Sequence, residues 1–296
     1  MNLSSSPVWL WFTPAISALV LYGLGQGLVK KWISDIPPAL FCIYFVFAKA
    51  IVNLSFYFTQ THPPLTAAGG LPFLTLGVLA YIWDGLGWIF YFQSILLGPI
   101  TIVGTLSAAY PALTVVFGRV FLGETLLMHQ YAGVIAVVVG CLGLAYSPPD
   151  SKSGHRDSRW ILLSVMALIL WAGSQTLVKY SYGLPQASEV NLALCNTLGG
   201  ALTLGVYGIL KGRGHRLASG DWIRSLLPMG MMAGGDLGVI IANRFGPISL
   251  VTPITGAYPL VTLGFAALVL KEAVTKLQWL CILFILIGMY LVSLSP

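Results

Sequence analysis

The feature that most constrains this chain is a repeat that keeps its register. The run Gly98-Pro99-Ile100-Thr101-Ile102-Val103 returns as Gly246-Pro247-Ile248-Ser249-Leu250-Val251, and at the same offset Ala109-Tyr110-Pro111 returns as Ala257-Tyr258-Pro259. Glu124 then falls on Glu272, Gln130 on Gln278 and Gly140 on Gly288, without a gap. Nearer the start of each half, Gln26-Gly27-Leu28-Val29-Lys30 matches Gln175-Thr176-Leu177-Val178-Lys179, displaced by one further residue. Self-similarity over such a length means two copies of one structural unit.

Apolar runs define the unit. A helix crossing the roughly 30 Å hydrocarbon layer needs about 20 predominantly apolar residues. That ruler predicts spans over 8–29, 38–59, 71–93, 98–121, 128–146, 159–178, 187–210, 222–244, 247–270 and 276–294. Composition agrees: 57% of the residues are apolar and 8% charged, whereas a soluble domain carries about 25% charged residues. So few charges cannot cover a water-facing surface. A β-barrel would show short alternating segments instead. The expected fold is an all-α integral membrane bundle of ten transmembrane helices.

Each copy, 1–148 and 159–296 with a linker at 149–158, holds five spans. An odd number puts consecutive copies upside down relative to each other, giving a pseudo-two-fold axis in the membrane plane. Inverted repeats of this kind are a transporter architecture, with the substrate held near the midplane between the halves. The first span has no basic residue before it and ends in Lys30-Lys31 rather than a small-residue cleavage site. It therefore reads as a retained helix rather than a signal peptide.

The cysteines, Cys42, Cys141, Cys195 and Cys281, lie inside predicted spans with no metal-ligand spacing, and read as small apolar residues. No metal or cofactor is expected. The net charge of +6 is carried chiefly by loops around Lys152–Arg159 and Lys211–Arg216. Basic loops beside spans are a topology signal, so nucleic acid is not an expected partner.

Several of these residues carry a family resemblance. The first helix of each half closes on Tyr22-Gly23…Lys30 and Trp171-Ala172…Lys179. After the fourth comes Gly123-Glu124-Thr125-Leu126…Gln130…Gly133…Gly140, and again Lys271-Glu272-Ala273-Val274…Gln278…Gly288. In these motifs the chain resembles the drug/metabolite transporter superfamily, in its EamA-type ten-helix branch. It departs from the pattern at Tyr22, where Trp is usual, and at Lys271, where Gly is. The resemblance implies export or exchange of amino acids, metabolites, sugars or drugs, driven by an ion gradient or by the solute's own gradient. The alternatives are a flippase for a lipid-linked sugar or phospholipid-like carrier, and a membrane scaffold that does not transport. An enzyme is not expected: His62, His129, His155 and His215 are scattered, and no acid/base or nucleophile set is apparent.

Ionisable groups in the bilayer are costly and need a partner or a task. Asp84 and Asp236 fall mid-way along spans three and eight, counterparts in the repeat but one helical turn out of register, and Lys49 falls mid-way along span two. The aspartates are candidates for a shared central site that binds protons or a cationic group. An acid that must release its proton before solute binds couples the two by competition. Alternatively one aspartate pairs with Lys49 for packing alone, or Lys49 binds an anionic solute with Asn53, one turn on, beside it.

Gln26 and Gln175 are candidate substrate contacts or helix-to-helix links, and Trp88, four residues after Asp84, a candidate aromatic wall. Pro111 and Pro259 should kink their spans, making Tyr110 and Tyr258 candidate hinge or cavity-lining residues. Lys30 and Lys179, at helix ends, are candidate gates. Glu124 and Glu272 are expected to cap the last helix of each half. The spacings Gly23/Gly27 and Gly230/Gly234/Gly238 suit close helix packing.

Odd-numbered loops hold Lys30, Lys31, Lys152, Arg156, Arg159, Lys211, Arg213, Arg216, Arg224, Lys271 and Lys276; even ones hold Arg119, Lys179 and Arg244. The positive-inside rule then puts both termini outside, although EamA-like proteins usually have them in the cytoplasm. The expected setting is a cell membrane, the inner one in a bacterium. The expected partners are a small-molecule substrate, lipid and protons, with the protein a monomer or homodimer.

Overall fold

Proline, small-residue caps and a left-handed glycine set where the helices begin and end. In this computed structural model, residues 7–32, 35–97, 103, 109–145, 159–214, 219–269, 271 and 275–294 are described. The helices are α1 (Trp9–Trp32), α2 (Pro38–Thr59), α3 (Gly70–Leu97), α4 (Tyr110–Leu122), α5 (Met128–Ala145), α6 (Arg159–Ser181), α7 (Glu189–Gly200), α8 (Val206–Lys211), α9 (Ser219–Phe245), α10 (Ile248–Gly256), α11 (Pro259–Val269) and α12 (Lys276–Ser293). A five-residue π turn, Ala201–Gly205, joins α7 to α8 in one span, Glu189–Lys211. Helices α10 and α11 form another, Ile248–Val269.

Among the described residues, eight spans are long and apolar enough to cross a membrane. Two shorter apolar helices, Tyr110–Leu122 and Met128–Gly143, bring the bundle to ten. The chain is a multi-pass membrane protein. The first Gly-Pro motif from Gly98 to Thr101, the linker 149–158 and Glu272 lie outside the described residues.

Local chemistry explains the termini. Pro38 opens α2, where its missing N–H costs nothing. The side chain of Ser188 accepts from Asn191 N to start α7. At α12, Thr275 and Gln278 form a reciprocal capping box, and Gln130 Oε1 accepts from Leu127 N at α5. Gly123 ends α4 at φ 67, and its repeat counterpart Lys271 adopts φ 58. The departure from the glycine pattern thus leaves a side chain in a left-handed conformation that favours glycine.

The packing obeys the repeat. The pair α1–α9 is matched by α6–α3, α3–α7 by α9–α2, and α4–α6 by the contact of α11 with α1. Two pairs map onto themselves, α2 on α7 and α5 on α12, and α4 packs on α10, which belongs to the span that is its counterpart. That is the pattern of a two-fold relation.

The inversion is visible at the helix ends. Trp11, at the start of α1, packs against Gly246 so closely that an added Cβ would sit 2.6 Å from its ring. Lys179, near the end of α6, bonds to that same Gly246. At the opposite end, Arg224 at the start of α9 reaches Trp32 O at the end of α1 (3.1 Å), and Ser94 late in α3 reaches Trp160 O at the start of α6 (2.7 Å). Helices α1 and α6 therefore run in opposite directions.

Small residues permit the tight crossings. Gly133 and Gly288 face each other, and a Cβ on either would meet the other's carbonyl oxygen at 2.7 or 2.6 Å. Gly23 and Gly27 pack against α11, and Gly238 against α1. Gly230, however, meets nothing within 4 Å and Gly234 only Leu21. The expected stripe on α9 is thus tight at one end, and Gly235, outside it, makes the closer approach to α1.

The prolines do more than kink. Helix α10 stops at Gly256, Ala257 and Tyr258 form a turn, and Pro259 opens α11. Pro111 likewise occupies the first turn of α4. A residue that lacks a donor and disfavours helix before it starts a helix more readily than it bends one.

Candidate functional site

Halfway along the bundle, where α1, α3, α6, α7 and α9 converge, three charges meet. Lys49 Nζ on α2 makes an ion pair with Asp236 Oδ2 on α9 at 2.9 Å and a longer one with Asp84 Oδ2 on α3 at 3.7 Å. The ammonium also lies 4.6 Å from the centre of the Phe45 ring. Lys49 is 2% exposed, whereas Asp84 and Asp236 are 20% and 17% exposed. Both carboxylates open onto a cavity; the ammonium sits behind them.

The cavity, of about 100 Å³, is walled by Tyr22, Gln26, Tyr81, Asp84, Trp88, Tyr110, Trp171, Gln175, Asn196, Met232, Asp236 and Tyr258, with Val239, Ile240 and Thr255. Repeat counterparts face each other across it: Tyr22 and Trp171, Gln26 and Gln175, Tyr110 and Tyr258. The acidic pair follows the same symmetry with a swap. Under the offset that carries Gly98 to Gly246, Asp84 corresponds to Met232 and Trp88 to Asp236. All four line the cavity. Each half thus offers one carboxylate and one bulky apolar side chain a turn apart, in opposite order.

The aromatics enter through two symmetry-related notches. A Cβ on Gly87 would lie 2.7 Å from the Trp171 ring, and one on Gly235 would lie 2.7 Å from the Tyr22 ring. Gly87 and Gly235 are repeat counterparts, as are the two rings. Trp171 stacks edge-on to Trp88 (5.3 Å between centres) and to Tyr110 (5.7 Å), and Tyr22 to Tyr258 (6.1 Å). Aromatic pairs at such distances are favourable beyond their area burial.

The two halves differ in how they hold the acid. Tyr22 Oη donates to Asp236 Oδ1 at 2.5 Å. Its counterpart Trp171 leaves a buried Nε1–H without a partner among the described residues, and so does Asn196 with its Oδ1. Thr203, in the π turn after α7, packs on Gly85 beside Asp84 and leaves no room there for a Cβ. π turns of this kind are frequent at functional sites.

The other sequence candidates are placed differently. Asn53 is not among the cavity-lining residues; its Nδ2 donates to Thr197 Oγ1 at 3.3 Å, tying α2 to α7. Gln175 Oε1 accepts from Asn243 Nδ2 at 2.8 Å. Pro111 packs on Gly256. Lys179 lies outside the cavity wall, with Nζ donating to Asn243 O and Gly246 O, both at 2.7 Å. The side chain of Lys30 lies outside the described residues.

Glu124 corrects an expectation. Rather than capping α5, it accepts from Ile248 N (2.9 Å), Ser249 N (3.0 Å) and Ser249 Oγ (2.6 Å) at the start of α10, in the other half. The last helices are capped by Gln130 and by Thr275 with Gln278 instead. Lys179 and Glu124 therefore clasp the turn between α9 and α10 from both sides, a cation on the carbonyls ending one helix and an anion on the amides starting the next. Both match the helix dipoles. The reach across halves has no short-range signal, because it depends on α4 lying against α10.

Tyr22, Tyr81, Trp171 and Asn196 are cavity residues that sequence reasoning did not single out as such. The repeat motif that begins each match at Tyr22 and Trp171 was the available signal for two of them.

Comparison with known families decides the assignment. The EamA-like transporter family matches residues 9–146 and 158–294, one match per half. The chain belongs to the EamA-like transporter family. A solved crystal structure superposes with a TM-score of 0.78 at 16% sequence identity, covering 96% of this chain and 98% of that one. At that identity the likeness speaks for the fold. No curated protein matches the chain significantly.

Proposed function

We propose that this EamA-family protein is a secondary-active transporter that exports or exchanges a small solute by alternating access, with Asp84, Asp236 and Lys49 coupling solute to protons. The observation that carries this reading is a charge triad whose two carboxylates open onto a cavity at the seam of two inverted halves. A cavity of about 100 Å³ is smaller than the roughly 300–1,000 Å³ of a site enclosing a drug-sized ligand. The halves must part to admit a solute, and inverted repeats provide two near-equivalent ways of parting.

Coupling follows from charge. Two carboxylates and one ammonium leave one net negative charge in a low-dielectric site. A proton or a solute cation neutralises it, and the two compete. Lys49 is enclosed by both carboxylates and Phe45, which argues against an anion-binding role for it.

The charge asymmetry supports termini on the outer face. The cations of the even-numbered loops are engaged within the protein: Lys179 on backbone carbonyls, Arg119 on Glu124 O and Arg244 on Glu189. The odd-numbered loops hold the excess of cations that the positive-inside rule retains in the cytoplasm.

The test is reconstitution in liposomes with an imposed pH gradient and a panel of radiolabelled amines, amino acids and sugars. Flux of at least one solute above empty liposomes, altered by the gradient, is expected. A protein that carries none of them with or without a gradient, while remaining monodisperse, would contradict the reading.

A further inference from the structure

The geometry points to a monocationic amine with an aromatic or apolar body as the solute, bound by Asp84 rather than by Asp236; this rests on the transport reading above. The two acids are not equivalent. Asp236 is engaged at both oxygens, Oδ1 by the 2.5 Å hydrogen bond from Tyr22 and Oδ2 by the 2.9 Å ion pair with Lys49. Among the described residues Asp84 has only the longer contact to Lys49, at 3.7 Å, and it lines the cavity. It is the carboxylate with capacity to spare.

What surrounds Asp84 fits an ammonium. Trp88 stands one turn along the same helix, and Trp171 and Tyr110 continue that wall, with ring centres 5.3 and 5.7 Å apart in sequence. Such faces attract cations, most strongly where water is excluded. Asn196 lines the cavity, and its buried Oδ1 lacks a donor among the described residues, as an ammonium would supply. Trp171 Nε1–H lacks an acceptor among the described residues, which a hydroxyl on the solute body would supply.

Net charge selects the class. With Lys49 and two carboxylates the site carries one excess negative charge. A monocation neutralises it, a zwitterion leaves it unchanged, and an anion doubles it. Burial without neutralisation is costly.

A set of like-sized solutes separates these cases: tyramine, neutral tyrosol, anionic 3-(4-hydroxyphenyl)propionate and zwitterionic tyrosine. Binding is read from thermal unfolding of the purified protein at fixed pH, and transport from tyramine counterflow in proteoliposomes. Tyramine should stabilise most, with an affinity about thirtyfold or more above tyrosol, and Asp84→Asn should abolish the difference. Asp84→Glu should restore part of it, which separates lost binding from misfolding.

Equal or tighter binding of tyrosine or the propionate, or no stabilisation by tyramine, would overturn the cationic class, whether or not other solutes are carried. Binding of tyramine that depends on Asp84 but gives no counterflow would uphold the site and defeat the transport reading instead.

Discussion

Tyr22 on α1 holds Asp236 on α9 by a 2.5 Å hydrogen bond. Across the pseudo-two-fold axis the corresponding ring, Trp171, makes no such bond to Asp84. A symmetric fold therefore carries an asymmetric site. One acid is anchored by a phenol and an ammonium; the other faces an indole, an amide and open space. A protein assembled from two like halves gains a distinct carboxylate in this way without breaking its frame.

Lys49 should be indispensable for stability. Removing one partner of a buried ion pair leaves uncompensated charge and costs about 3–5 kcal/mol. Lys49→Met should therefore lower the unfolding midpoint in detergent strongly, and Lys49→Met with Asp236→Asn should recover part of the loss. A single variant as stable as the parent would show that the triad contributes nothing to folding.

Lys271 occupies a left-handed conformation at φ 58. A side chain there costs roughly 1–2 kcal/mol, offset in part by glycine's greater freedom in the unfolded chain. Lys271→Gly should stabilise the protein by up to about 1 kcal/mol, seen as a higher thermal midpoint. Gly123→Ala, at φ 67, should do the reverse.

Glu124 satisfies two amides and a hydroxyl at the start of α10. Glu124→Ala strands these donors in a buried site, at a cost of about 2–3 kcal/mol. Glu124→Gln keeps one acceptor and should lose less. Equal midpoints for the two variants would argue against the clasp.

Gly87 and Gly235 make room for the cavity rings. An alanine Cβ at either position would lie 2.7 Å from Trp171 or Tyr22, and overpacking of this sort costs about 1–3 kcal/mol. Both Gly→Ala variants should displace the ring and lower solute affinity more than they lower expression. Unchanged affinity in both would remove these rings from the site.

The sequence made the architecture legible because the repeat and the apolar runs are both long-range patterns. Ten spans, the inversion and the central place of Asp84, Asp236 and Lys49 follow from them. Finer relations depend on which helix faces which. Asn53 shares a helix face with Lys49 in the sequence, yet the α2–α7 contact turns it to Thr197. Glu124 reads as a cap for the helix that follows it, yet the α4–α10 contact carries it to Ser249. The π turn at Ala201–Gly205 has no signature in local propensity.

The most direct test of the account is gradient-driven flux in proteoliposomes for the parent, Asp84→Asn and Asp236→Asn, each checked for monodispersity. The account predicts that Asp84→Asn loses coupled transport by at least about tenfold, since a neutral amide can neither release a proton nor pair with a cation. Asp236→Asn should fall less and lose stability as well. Full, gradient-coupled transport in both variants would contradict it.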